Sequence, residues 1–137
     1  MSGEQARLAD TKSWLALAGQ DLHAAEHDLS GGATLHWDVL FHCQQATEKA
    51  WKAFLTWHDV PFRKTHELEI LGGQCAAVDP SLEDLASRAR HLTRYAWKLR
   101  YPGERHEPES EEVSEALALA REAVGAVAMR LPEEARP

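Results

Sequence analysis

The feature that most constrains this chain is a spacing: in five separate stretches, apolar residues recur three and four positions apart, the period that buries one face of a helix. The clearest stretch covers about residues 81–99, where Leu82, Leu85, Ala89, Leu92, Ala96 and Leu99 alternate the two steps. Asp79-Pro80-Ser81 ahead of it supplies cap and first-turn chemistry. Valine and isoleucine are scattered, while Ala, Leu, Glu and Trp recur at helical spacing.

The other four stretches follow the same logic. Residues 8–29 present Trp14, Ala18, Leu22, Ala25 and Leu29 on one face, and Ser30-Gly31-Gly32 ends that helix. Residues 35–58 carry Leu40, Cys43, Thr47, Ala50, Phe54 and Trp57, flanked by Phe41, Trp51 and Leu55. Asp38, His42, Gln45, Lys49, Lys52 and Thr56 make the outer face of that helix. Pro61 sets a boundary, Thr65 is placed to cap, and a short helix over 66–77 contains His66, Leu68 and Leu71 until Gly72-Gly73 ends or loosens it. A last helix over 110–131 runs on Val113, Leu117, Ala120, Val124, Val127 and Leu131, with its glutamates in the first turns, at the positive end of the dipole.

Short connections favour antiparallel neighbours. The pattern therefore predicts an all-α fold: an up-and-down antiparallel four-helix bundle with an additional short helix, one domain over residues 8–131, with 1–7 and 132–137 as flexible termini. Its length of 137 residues suits a single hydrophobic core. No run of 18 apolar residues is present, so no membrane partner is expected. The opening MSGEQARLADTKSW lacks the apolar core of a signal peptide. Cys43 and Cys75 show neither metal spacing nor a disulfide framework, which suits a reducing cytoplasm.

A net charge of −7 argues against a large non-specific nucleic-acid surface, but the charge is polarised. Arg88, Arg90, Arg94, Lys98, Arg100 and Arg105 fall between positions 88 and 106, with Glu104 as the only acid among them.

Three polar residues sit where the pattern buries a face. Gln44 and Glu48 share the side of Phe41, Trp51 and Leu55, and Asp21 borders Trp14 and Ala18. A shielded carboxylate needs a donor, and Arg94 or Arg90 from the fourth helix is placed to supply one to Glu48. Asp21 is expected to pair across the bundle. His42, Lys49 and Lys52 read either as solvated residues or as a basic ridge, and His66 either as a cap or as part of a phosphate-binding corner with Arg63 and Lys64. The eight histidines include no HExxH pair, and there is no P-loop, GxGxxG or nucleophile elbow, so neither metal nor cofactor is implied.

Arg100 and His106 lie across the Pro102-Gly103 turn. Arginine binds two phosphate oxygens at once, and histidine gives or takes a proton near neutrality. The pair reads either as a solvated helix connection or as the core of a metal-independent RNA-cleaving site.

Taken together, Trp14, Ala18, Asp21-Leu22 and Ala25, the block Phe41-His42-Cys43-Gln44-Gln45-Ala46-Thr47-Glu48-Lys49-Ala50-Trp51-Lys52-Ala53, Thr65-His66-Glu67-Leu68, and Tyr95 with Arg100-Tyr101-Pro102 resemble the HEPN family. The resemblance spans about residues 10 to 131. It implies a helical bundle, commonly a homodimer, often encoded beside a minimal nucleotidyltransferase. Many such proteins cleave RNA without a metal through an Arg and a following His, roles that fall here on Arg100 and His106. In active members a small polar residue commonly follows the Arg; Tyr101 stands there in this chain. The Arg-Tyr-Pro form belongs to a branch for which the resemblance implies a nucleotide- or nucleic-acid-binding component of a toxin–antitoxin-like pair. The expected function is that component, with the nucleotidyltransferase as partner. The alternative is a metal-independent endoribonuclease using Arg100 and His106 across a homodimer. In either case Arg94, Arg100, His66 and Lys98 are the phosphate- or nucleotide-binding residues, supported by Glu48, Gln44 and Asp21.

Overall fold

The computed structural model of the chain describes residues 2–97 and 108–137, which are helix or connection, with no strand among them. The first helix, α1 (Gly3–Leu29), opens on a capping box. Ser2 Oγ accepts from the Gln5 amide at 3.1 Å, and Gln5 Oε1 accepts from the Ser2 amide at 2.7 Å. Helix therefore starts at Gly3 rather than at residue 8, because the cap is polar and carries no apolar period. Past Ser30 the chain turns through Gly32, whose φ of +83° is one that side chains disfavour. The 3-10 turn Ala33–Leu35 then leads into α2 (His36–Trp57).

Buried residues make up 14 of the 22 in α2, so this helix is the axis of the molecule and has little outer face at all. Its Trp51, Phe54 and Leu55 join one apolar cluster with Leu68, Leu71, Leu92, Val113 and Val127. Each such side chain contributes roughly 1.5–3 kcal/mol by leaving water. Cross-helix contacts fix the directions. Asp28 approaches His42, Asp21 pairs with Lys49, and Arg7 stacks on Trp57, so α1 and α2 are antiparallel.

The third helix, α3 (Leu68–Val78), starts later than residue 66, so His66 precedes it. Thr65 Oγ1 accepts from the Glu67 amide at 3.1 Å, and Thr93 accepts from the Leu68 amide at 2.8 Å, dividing the capping expected of Thr65 alone. Gly72-Gly73 does not end the helix. Gly72 lets α3 close on its neighbour: a Cβ there would lie 3.1 Å from the Ala86 Cβ.

The expected long helix over 81–99 is not one α-helix. Asp79 caps a 3-10 turn at Pro80–Leu82, α4 covers only Glu83–Ala89, and Arg90–Ala96 is 3-10. The buried residues Leu82, Leu85, Ala89, Leu92 and Ala96 are those the spacing selects. Side chains in the tightened part bond to backbone instead of leaving it to the α ladder: His91 Nδ1 donates to the Arg88 carbonyl at 2.9 Å, and Arg94 Nε to the His91 carbonyl at 3.2 Å. A 3-10 run of this length is unusual, and such runs mark strain or function.

The last long helix, α5 (Ser110–Arg130), carries Glu111 and Glu112 in its first turn. Arg130 meets Asp79, Arg88 meets Glu122, and Tyr95 meets Glu112, so α4 with its 3-10 extension runs antiparallel to α5. The bundle is thus up-and-down, with α3 the short addition. The residues after α5, expected to be loose, form a 3-10 turn at Glu133–Ala135, and Ala135 is buried. No helix among the described residues is long and apolar enough to cross a membrane.

Candidate functional site

Glu48, midway along α2, is 4% exposed, where a bare carboxylate would be costly. Three donors converge on it. Lys52 Nζ lies 2.9 Å from Oε2, while Gln44 Nε2 at 3.1 Å and His66 Nδ1 at 2.9 Å share Oε1. Burial alone raises the carboxyl pKa, but the hydrogen bonds from Lys52, His66 and Gln44 and the Lys52 charge outweigh it and hold the group below its ordinary value. An ionised carboxylate only accepts, so His66 carries its proton on Nδ1 and donates it inward.

The donors are themselves held. The Lys52 ammonium lies 5.3 Å from the Trp14 ring centroid and 5.9 Å from that of Phe62. Gln44 Nε2 also donates to the His66 carbonyl at 3.1 Å, and its Oε1 accepts from Gln45 at 2.7 Å. His66 is tied at both ring and backbone, yet 44% of its side chain is open to solvent. Its Nε2 has no hydrogen-bond partner among the described residues. The Trp97 ring meets it edge-on at 6.1 Å.

Several expectations change here. Neither Arg90 nor Arg94 reaches Glu48; both are exposed, and Arg94 turns back on the His91 carbonyl. The donor is Lys52, placed by its spacing on an outer face that α1 and the loop before α3 in fact cover. The i, i+4 relation of Glu48 to Lys52 was the available signal. His66 bonds a carboxylate and caps nothing. The basic ridge of His42, Lys49 and Lys52 does not exist as an open surface. His42 Nδ1 lies 2.9 Å from Asp21, Lys49 also pairs with Asp21, and Lys52 is spent on Glu48. Asp21 pairs across the bundle as expected, but in a network of its own, apart from Glu48 and Gln44.

Lys98, Arg100 and His106 lie outside the described residues. The chain on either side of them is anchored. The Tyr95 hydroxyl donates to Glu112 at 2.6 Å, and Trp37 packs edge-on against the Tyr95 ring at 6.5 Å. Burial and the Glu112 carboxylate push the Tyr95 hydroxyl pKa up. His36, buried at the start of α2, donates from Nδ1 to the Pro108 carbonyl at 3.2 Å. Neither His36 nor Trp97 stood out in the sequence, since each reads as one more residue of an amphipathic helix. Among the described residues no three His, Cys, Asp or Glu side chains are grouped to hold a metal ion.

These features sit on a helical bundle whose α1 residues Trp14 to Ala25, α2 block 41–53, stretch Thr65 to Leu68 and Tyr95 are among those that carried the resemblance, and a profile of the HEPN domain matches residues 11–130. The chain belongs to the HEPN family. No curated protein and no solved structure matches it. The HEPN match runs from α1 through α5, so it takes in the Glu48–His66 pair together with the positions of Arg100 and His106.

Proposed function

We propose that this HEPN protein is a metal-independent endoribonuclease acting as a homodimer, with Arg100 binding the scissile phosphate and His106 taking the proton of the ribose 2′-hydroxyl. The observation that carries the reading is the family match over 11–130, which spans an Arg and a His at the spacing used by the family's nucleases. Attack of the 2′-oxygen on phosphorus builds negative charge that a bidentate guanidinium stabilises. Lys98, Arg94 and His66 supply further phosphate contacts, and two copies face to face provide two such sets. The protein acts in the cytoplasm.

A second reading rests on Tyr101-Pro102 following Arg100. In it, the same phosphate-binding residues hold a nucleotide or a nucleic acid, and the protein is the partner of a small nucleotidyltransferase in a toxin–antitoxin-like pair.

Incubation with RNA in EDTA separates the two. The endoribonuclease reading expects cleavage by the wild-type chain and none by Arg100→Ala or His106→Ala. Nucleotide binding that disappears in Arg100→Ala, without cleavage by any variant, selects the second reading.

A further inference from the structure

Arg7, in the second turn of α1, is held in place without a hydrogen-bond acceptor. Its guanidinium lies 4.7 Å from the centroid of the Trp57 ring, over its face. No described residue accepts a hydrogen bond from it, and its Nε is closed off from solvent as well. A buried donor left unmet is costly. An arginine stacked in this state is poised for an acceptor that the described residues do not provide.

The side chain lines a surface concavity of about 480 Å³ between α1 and the loop that leaves α2, together with Asp10, Thr56, Asp59 and Phe62. Asp59 closes α2 at a φ of +56°, and the Val60 amide donates to the Leu55 carbonyl at 2.9 Å, which fixes that wall. Phe62 is half-buried and braced edge-on by Trp14 at 6.3 Å. The Asp10 and Asp59 carboxylates carry no hydrogen bond or ion pair among the described residues. Two carboxylates disfavour a phosphate or a carboxylate here, even one drawn to Arg7. The set suits an uncharged planar group instead, with two acceptors for the guanidinium fork, donors for a carboxylate and a face for Phe62. Guanine has those parts: O6 and N7 accept side by side, while N1–H and the N2 amine donate on the adjoining edge.

We infer that this concavity binds a guanine base, with Arg7 donating to O6 and N7, Asp59 accepting from N1–H and the N2 amine, and Phe62 stacking on the ring. Asp10 follows Arg7 by three positions on one face of α1 and so shares its wall. Asp59 stands on the loop, so a base that bridges the two elements meets Asp59. The inference goes beyond the endoribonuclease reading and uses none of its residues. Guanine reaches the site through the same contacts whether it arrives as a free nucleoside or as an unpaired base of single-stranded RNA.

The test titrates the full, isotope-labelled chain with guanosine, 7-deazaguanosine, inosine and adenosine. It follows the Arg7 Nε–H resonance, assigned by its loss in Arg7→Lys. Guanosine is expected to move that resonance. 7-Deazaguanosine lacks N7 and inosine lacks the N2 amine, so each should bind roughly tenfold or more weakly, and adenosine more weakly still. Asp59→Asn, which tolerates the same left-handed backbone, should erase the preference for guanosine over inosine. The analogues probe Arg7 without altering the chain, so a poorly folded Arg7→Lys does not decide the outcome. A uridine oligomer carrying one guanosine separates the sources: tighter binding than guanosine alone assigns the site to RNA, and equal or weaker binding assigns it to the free nucleoside. Equal binding of all four nucleosides, an Arg7 resonance that guanosine leaves unmoved, or a guanosine preference that Asp59→Asn retains overturns the assignment. None of these readouts requires cleavage, so a chain that cleaves no RNA removes the endoribonuclease reading and leaves this one to its own result.

Discussion

Lys52 Nζ meets Glu48 Oε2 at 2.9 Å inside the bundle, with only 10% of the lysine and 5% of the glutamate side chain exposed. An ion pair this covered gains little over a well-packed apolar pair, but breaking it strands a charge. Glu48→Ala leaves the Lys52 ammonium buried and His66 unanchored. We expect a loss of about 3–5 kcal/mol in urea unfolding. Glu48→Gln, which keeps an acceptor, should lose less.

The same carboxylate gives stability a pH dependence of known sign. Its folded pKa lies below the ordinary value of 4.5, so it contributes stability above that value and loses it as pH falls through the folded one. Melting temperatures measured downward from pH 5 should fall more steeply for wild type than for Glu48→Gln. Parallel curves contradict the bonding described for Glu48.

The two adjacent glycines of α3 should respond in opposite directions. Gly73 has open space where a Cβ would stand, so Gly73→Ala should stabilise by about 0.5–1 kcal/mol through helix propensity. At Gly72 the Ala86 Cβ and the Trp51 indole nitrogen lie 3.1 and 3.5 Å from that position. Gly72→Leu should cost about 1–3 kcal/mol by overpacking. Denaturant midpoints of the two variants check both signs.

Both thiols should be inert in the folded protein. Burial pushes Cys43 up to about 12 and raises Cys75 as well. Neither is a thiolate at neutral pH, and both are buried. A chromogenic disulfide reagent should label neither until denaturant is added, then label two per chain.

The helices were legible because each buries an apolar stripe, and a stripe has a period. What the period could not reveal was how completely α2 is surrounded. A helix covered on every side has polar residues that read as outward and are nonetheless packed, and Lys52 is the example. Residues 90–96 show the reverse case. Their apolar spacing suits an α-helix, yet His91 and Arg94 bond to carbonyls and the backbone tightens. Glu48 and Gln44 were recognisable as polar residues on a shielded face. Their partner His66 reads in the sequence as the opening of the third helix, and only folding brings it 2.9 Å from Glu48 across 18 positions of sequence. His36 and Trp97 carry no signal of their own, because anchoring of the chain around Arg100 and His106 is a tertiary relationship.

The most direct measurement follows the fate of one RNA linkage in EDTA, with and without the 2′-hydroxyl on its 5′ side. The account predicts that wild type cleaves the ribose linkage, leaves a 2′,3′-cyclic phosphate, and spares the 2′-deoxy linkage, and that Arg100→Ala and His106→Ala cleave neither. An intact ribose linkage with wild type, or cleavage that persists in either variant, contradicts it.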